Sequence, residues 1–397
     1  MTSETKTALV GCDEVTTTRV KPGRLMSIDL LRGLTIGFMI LVNNNGSRDA
    51  YRELEHSLWN GFTATDLVFP TFLFLVGVST VFSTASRLAR GDSKQSLFLH
   101  TLRRAVILFL LGLLVNSFPH FHWHTLRFYG VLPRIAICYF VVATLYLINP
   151  KWKNKLVLAV ALLVGYWALM RFVPVPGFGT PGRDVPLLDP DRNLAAWLDR
   201  NIFAASHLYE RTRDPEGLLS TLPALATTLM GLLTGIWLRT QRALTEKVRG
   251  IAIAGVSCVV LGWAWNFSFP INKKLWTSSF VLFAGGLSLL LLALSIWMFD
   301  GGTEGETKAA KRSGWFTPLL VFGTNAITAY VFSELLAGGI GSILVRPGMN
   351  LQHWLANGIL SAVPYPAFAS LLYSLGFVAF CWLPTYLLFR RKIFIKI

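Results

Sequence analysis

The chain has 397 residues, of which 53% are hydrophobic and only 15% charged. A soluble domain of this size carries roughly a quarter charged residues, so a water-exposed globular fold is excluded and a membrane-embedded one is indicated. The formal net charge of +16 would suit a polyanion, but the basic residues fall in alternate connecting segments. That pattern is a topology signal and excludes a nucleic-acid partner.

Residues 1–23 are polar and are expected to form a disordered cytoplasmic N-terminus. They are too long for the charged region of a signal peptide, and no small-residue cleavage site follows, so the first apolar stretch is expected to remain. Residues 24–397 read as one transmembrane domain, an all-α polytopic bundle of about ten helices. The spans are expected at 28–45, 63–85, 104–117, 129–148, 156–173, 221–238, 251–266, 276–299, 316–333 and 368–388. Placing the N-terminus inside puts Arg87, Arg90, Lys94, Arg103, Arg104, Arg390, Arg391, Lys392 and Lys396 in cytoplasmic segments, as the positive-inside rule requires. Both termini are then cytoplasmic, in a cell membrane (the inner one in a bacterium), and the loop after the first span faces outward.

Most connections are short. The segment 174–220 opens with Pro174-Val-Pro-Gly-Phe-Gly-Thr-Pro-Gly182, an irregular loop by its turn residues. Within it Leu194, Trp197, Leu198, Ile202, Ala205 and Leu208 share one helical face, with Asp199 and Arg200 opposite, as in an interfacial helix. The segment 334–367 is Gly-rich at its start and has the composition of a re-entrant loop, and 300–314 reads as a flexible linker. Pro70, Pro133, Pro223, Pro318 and Pro384 lie inside spans and are expected to bend them. Gly231 and Gly235 have the spacing of a close helix contact. The four cysteines (Cys12, Cys138, Cys258, Cys381) are scattered, so neither a disulfide framework nor a zinc site follows.

Titratable groups near membrane depth are functional by default. His56 follows the first span: a histidine there can take a proton from an amine or carry an acyl group, or simply sit at headgroup level. Asp66, about one turn inside the second span, can orient that imidazole or fix helix packing. Asn43, Asn44 and Asn45 end the first span, and a carboxamide there suits an oxyanion. Trp59 and Asn60 can contact a sugar, Trp59 otherwise serving as an interfacial anchor. Asp29 and Arg32 share a helix face and either pair with each other or leave Arg32 to hold a phosphate. Arg134 is an intramembrane cation with no local partner. Asp214 and Glu216 can recognise a sugar ammonium, and Lys273 and Lys274 a phosphate or carboxylate. Asn325, buried by position, needs a hydrogen-bond partner in packing or in a ligand. His120, His122 and His124 have no carboxylate or cysteine beside them, so no metal is expected.

The runs Arg24-Leu-Met-Ser-Ile-Asp29-Leu-Leu-Arg32-Gly, Val42-Asn43, His56-Ser-Leu-Trp59-Asn60-Gly61 and Asp66-Leu-Val-Phe-Pro70 resemble the opening of the heparan-α-glucosaminide N-acetyltransferase family and its bacterial relatives. Leu132-Pro-Arg-Ile-Ala136, Asp214-Pro-Glu-Gly-Leu-Leu-Ser-Thr221, Asn272-Lys-Lys-Leu-Trp-Thr-Ser-Ser279 and Phe322-Gly-Thr-Asn325 extend the resemblance to about residue 335. The resemblance implies acetyl transfer from acetyl-CoA to glucosamine or a glucosamine-terminated saccharide at the outward face. It implies His56 as the catalytic residue, and it matches the family's asparagine to Asn43. With it, Arg32, Arg134 and Asn325 are expected on the donor, and Trp59, Asn60, Asp214, Glu216, Lys273 and Lys274 on the acceptor. Membrane lipid surrounds such a chain, and a homodimer is compatible with it. An O-acyltransferase of envelope glycan and a sugar transporter are the alternatives.

The charge asymmetry makes a topology prediction. A cysteine replacing Arg48 in a cysteine-free background should react with an impermeant label in intact cells. Reaction only after permeabilisation would move His56 to the cytoplasmic side.

Overall fold

The computed structural model describes residues 25–47, 49–149, 151–301 and 308–395, with the backbone alone at 308–313. The expected N-terminal tail 1–23 with Cys12, the labelling position Arg48, residues 302–307 of the linker and Lys396 lie outside the described residues.

The described residues fold as 13 α-helices. They are Met26–Asn43 (α1), Val68–Leu88 (α2), Lys94–Ser117 (α3), Val131–Ile148 (α4), Trp152–Phe172 (α5), Leu194–Ile202 (α6) and Thr221–Leu238 (α7). Leu244–Trp265 (α8), Ser278–Phe299 (α9), Lys308–Thr324 (α10), Ala326–Ser342 (α11), Leu351–Ala362 (α12) and Pro366–Arg390 (α13) complete the set. Among the described residues, 9 helices are long and apolar enough to cross a membrane, and α10 with α11 passes the same test as a pair bent by 76°. The all-α polytopic fold is therefore as expected.

Which helices lie inside is a tertiary matter, because each span is apolar on every side. The apolar windows of α2 and α7 are 67% buried, while those of α8 and α3 are 17% and 22% buried and face lipid. The α2–α7 contact at the centre depends on glycine: a Cβ on Gly231 would lie 1.9 Å from the Phe74 carbonyl oxygen, and one on Gly77 2.1 Å from that of Thr228. Backbones that close leave no room for a methyl group.

Several expectations are corrected. The third span begins at Lys94, where the Ser93 hydroxyl accepts from the Ser96 N–H at 3.1 Å and caps the helix. The ninth does not run straight through 316–333, since the axis breaks at Asn325. The Gly-rich stretch after it belongs to α11, which continues to Ser342. The remainder is a short hairpin, Leu344–Arg346 with Met349–Asn350, and α12, whose 12 residues cannot span a bilayer. Pro70, Pro133 and Pro223 stand in first helical turns, where the missing N–H is an orphan anyway and no bend follows. Only Pro318 and Pro384 are interior. Asp199 is not on a solvated face of α6: it is 1% exposed and accepts from the Leu218 N–H at 3.1 Å. That bond ties α6 down onto the segment leading into α7.

The glycine contact is testable. Gly231→Ala should destabilise the solubilised protein by about 1–3 kcal/mol or more, seen as a lower melting temperature. Gly376→Ala should not lower it, since nothing lies within 4 Å of a Cβ there and alanine is the better helix former.

Candidate active site

The loop between α1 and α2 is organised around a carboxylate. Asp66, in a 3-10 turn Thr65–Leu67 that opens the second span ahead of α2, is wholly buried. Its Oδ1 lies 2.7 Å from His56 Nδ1, and its Oδ2 accepts from the backbone N–H groups of Ser57 (3.2 Å) and Thr63 (3.0 Å). A buried charge needs such donors. The His56 side chain keeps 42% of its exposure, enough to meet a ligand. With the carboxylate accepting at Nδ1, the neutral ring carries its proton there and presents the Nε2 lone pair outward. Burial lowers the His56 pKa below its ordinary value. The Asp66 hydrogen bond opposes this, and the Lys273 cation adds to it. The imidazole is thus a neutral base at pH 7.

The rest of this end of the bundle holds the loop. Trp59 Nε1 donates to the Leu188 carbonyl at 2.7 Å, and the Arg213 guanidinium stacks 5.0 Å above its ring. The Gly61 N–H donates to the Ile271 carbonyl at 2.9 Å, and Asn272 Nδ2 to Asn60 Oδ1 at 3.2 Å. Trp59 and Asn60 therefore act as fasteners between loops, whatever else they touch.

Most of the expected acceptor charges are also committed within the protein. Arg127 Nε and Nη2 donate to the two Asp214 oxygens at 2.7 and 2.6 Å, and Nη2 to Glu216 Oε2 at 2.5 Å. Asp214 further accepts from the Tyr209 and Glu216 N–H groups. Burial disfavours the Glu216 charge, yet Arg127, Lys273 and Arg134 outweigh it and hold this carboxyl below the usual range. Lys274 pairs with Glu210 at 2.9 Å. Lys273 differs from its neighbour: burial lowers its pKa against the pull of Glu216 and Asp66, and no hydrogen-bond or ion-pair partner meets it among the described residues. Burial likewise pushes Asp199 up to about 6, partly offset by the Leu218 N–H.

Arg134 is at this same end, in the first turn of α4. It is 1% exposed, donates through Nη2 to the Gly217 carbonyl (3.1 Å) and Ser220 Oγ (2.5 Å), and lies 5.2 Å from the Trp276 ring. So it has partners after all, distant in sequence, while Nε and Nη1 have none among the described residues.

Of the three asparagines, Asn44 is buried and donates to the Ile40 carbonyl at 2.8 Å. Asn43 is exposed, and its Nδ2 donates to Glu334 Oε1 on α11 at 3.3 Å. Glu334 was missed because the ninth span was expected to end at 333, which put this acid in a loop. A carboxylate within an apolar run was the available signal.

At the opposite end of α2 a cleft of about 530 Å³ is lined by Arg32, Arg87, Arg90, His100, Arg104 and Tyr139, and extends to Phe72 and Ile135. Arg32 binds Asp29 (2.9 Å), Ser79 Oγ (2.6 Å) and the Gly323 carbonyl (3.2 Å) at its edge. Asn325 is 1% exposed and spends both ends of its carboxamide on the C-terminal segment, donating to the Ile393 carbonyl and accepting from the Ile395 N–H. His120 and His122 stack at 5.9 Å in the loop after α3.

The family described as heparan-alpha-glucosaminide N-acetyltransferase, catalytic, matches residues 24–264. The chain is 30% identical over 372 residues to the heparan-alpha-glucosaminide N-acetyltransferase of Mus musculus, covering 81% of this chain and 55% of that protein. It is 28% identical over 429 residues to that of Homo sapiens, covering 95% of this chain and 60% of that protein. The chain thus spans little more than half the length of these curated relatives. Its match across the paired His56 and Asp66 loop and the helices that hold it makes it a member of the heparan-alpha-glucosaminide N-acetyltransferase family.

Proposed function

We propose that residues 24–397 form a transmembrane acyltransferase domain that moves an acetyl group from cytoplasmic acetyl-CoA to the amine of glucosamine or a glucosamine-containing saccharide outside. The observation that carries this reading is the neutral, half-exposed His56 held by buried Asp66 at the end of the bundle opposite a basic cleft. The cleft supports a donor entering with its phosphates on Arg87, Arg90 and Arg104. Its far wall, Phe72, is less than two helical turns along α2 from Asp66, so a thioester arm can approach the histidine from within.

In direct transfer the unprotonated amine attacks the thioester carbonyl carbon, and His56 Nε2 takes a proton from the amine nitrogen. The C–S bond then breaks and the CoA sulfur receives that proton, giving amide and free thiol. In the two-step route Nε2 first bonds the acetyl carbon and the C–S bond breaks, expelling the CoA thiolate. The amine then attacks that carbon and the C–Nε2 bond breaks. The proton lost by the amine nitrogen passes by way of Nε2 to the thiolate, giving amide, neutral imidazole and free thiol. Asp66 supports the imidazolium or acyl-imidazole in either route. Asn43, with an amide N–H beyond the one on Glu334, suits the carbonyl oxygen.

The test is labelled acetyl-CoA with purified protein and paired acceptors. Glucosamine should be acetylated and N-acetylglucosamine not; equal labelling would make a hydroxyl the acceptor. The base must be unprotonated, so activity is present above the folded-state His56 pKa and lost as pH falls through it. Because that pKa lies below 6.5, the His56 ring followed by NMR should titrate with a midpoint below pH 6.5, separately from the acceptor's own amine. A midpoint at or above 6.5 would remove the burial argument. His56→Ala should lose roughly 10²–10⁴-fold in turnover with little change in melting temperature, and near-normal turnover would remove His56 from the mechanism.

A further inference from the structure

We infer that Glu334 is the anchor for the ammonium group of the incoming acceptor, set beside Asn43 so that the amine is delivered next to the acyl carbon. This rests on the acetyl-transfer reading above.

Glu334 sits near the middle of α11, an otherwise apolar helix in which an unmet carboxylate is expensive. Its neighbours are neutral: Asn43 Nδ2 at 3.3 Å and the Tyr330 hydroxyl one turn below. No lysine or arginine pairs with it among the described residues. The acids that the sequence offers for this task are already taken. Arg127 grips both oxygens of Asp214 and one of Glu216, and His56 holds Asp66. Asp199 also has no cation among the described residues, but it is 1% exposed and already accepts from the Leu218 N–H. Glu334 is left as the half-buried carboxylate that a ligand's cation would complete.

Its place beside Asn43 gives the charge a purpose. A carboxamide has two N–H groups. One points at Glu334, and the other remains for a thioester oxygen at the exposed end of α1. Two groups held by the same amide are neighbours, and attack requires nitrogen and carbonyl carbon about 3–3.5 Å apart. An ammonium on Glu334 therefore arrives at reacting distance once it loses a proton. The Asn325 clamp on the C-terminal segment fixes the start of α11 and hence the position of Glu334.

The experiment uses the full chain in detergent or nanodiscs, with glucosamine as acceptor and glucose as its neutral counterpart. Wild type should bind glucosamine at least about ten-fold more tightly than glucose, the usual worth of a hydrogen bond to a charged group. Glu334→Gln should raise KM for glucosamine by about the same factor, leave KM for acetyl-CoA unchanged, and bring the two sugars together. A folded Glu334→Gln protein with an unchanged glucosamine KM overturns the inference and leaves the acetyl-transfer reading intact. If the variant does not fold, the wild-type comparison decides, and equal binding of the two sugars overturns it. Failure of wild type to acetylate glucosamine overturns both.

Discussion

Asp66 has no solvent contact, and a carboxylate in that position has to be met by donors from within the chain. The donors come from one stretch: the His56 ring, the Ser57 N–H and the Thr63 N–H. Meeting the charge therefore curls residues 56–63 around the start of α2. That curl sets the tautomer of His56 and turns its Nε2 away from the buried carboxylate. The loop is then fastened to the segment before α6 through Trp59 and to the segment before α9 through Asn60 and Gly61. Without the buried carboxylate these contacts would have no common register.

The same rule sorts the remaining charges at this end. Arg127 with Asp214 and Glu216, and Lys274 with Glu210, are closed ion pairs that hold loops together. Breaking such buried pairs leaves an uncompensated charge, which costs more than the pair contributes. What is left open is small and asymmetric. Among the described residues Lys273 has no hydrogen-bond or ion-pair partner, Arg134 has two nitrogens, Nε and Nη1, without one, and Glu334 is met only by neutral donors. Groups with unspent capacity are where a ligand gains most, because it completes hydrogen bonds that the protein leaves unmade.

The helices supply distance as well as position. α2 carries the buried acid at its start and Arg87 in its last turn, so a single rigid element links the two ends of the bundle. Its close approach to α7 through Gly77 and Gly231 keeps that element at the centre rather than facing lipid. The broken pair α10 and α11 does the complementary work. Its bend lets one helix follow the inner edge of the cleft and the other rise to Asn43.

The membrane bundle was legible in composition alone, because apolar runs near 20 residues have few other stable homes. The pairing of His56 with Asp66 was legible too, since a histidine just outside a span and an acid at the start of the next have few other partners. Asn43 among its neighbours was not, nor was the break at Asn325, since Pro318 is the stronger local breaker and the structure bends elsewhere. Asp214 and Lys274 read as recognition residues because their partners, Arg127 and Glu210, lie far off in the chain. The sequence by itself determined how much charge the bundle must carry and roughly at what depth. Only the tertiary structure decided which charges cancel one another and which remain for a ligand, because a buried ion pair is made by chain segments whose approach no local pattern records.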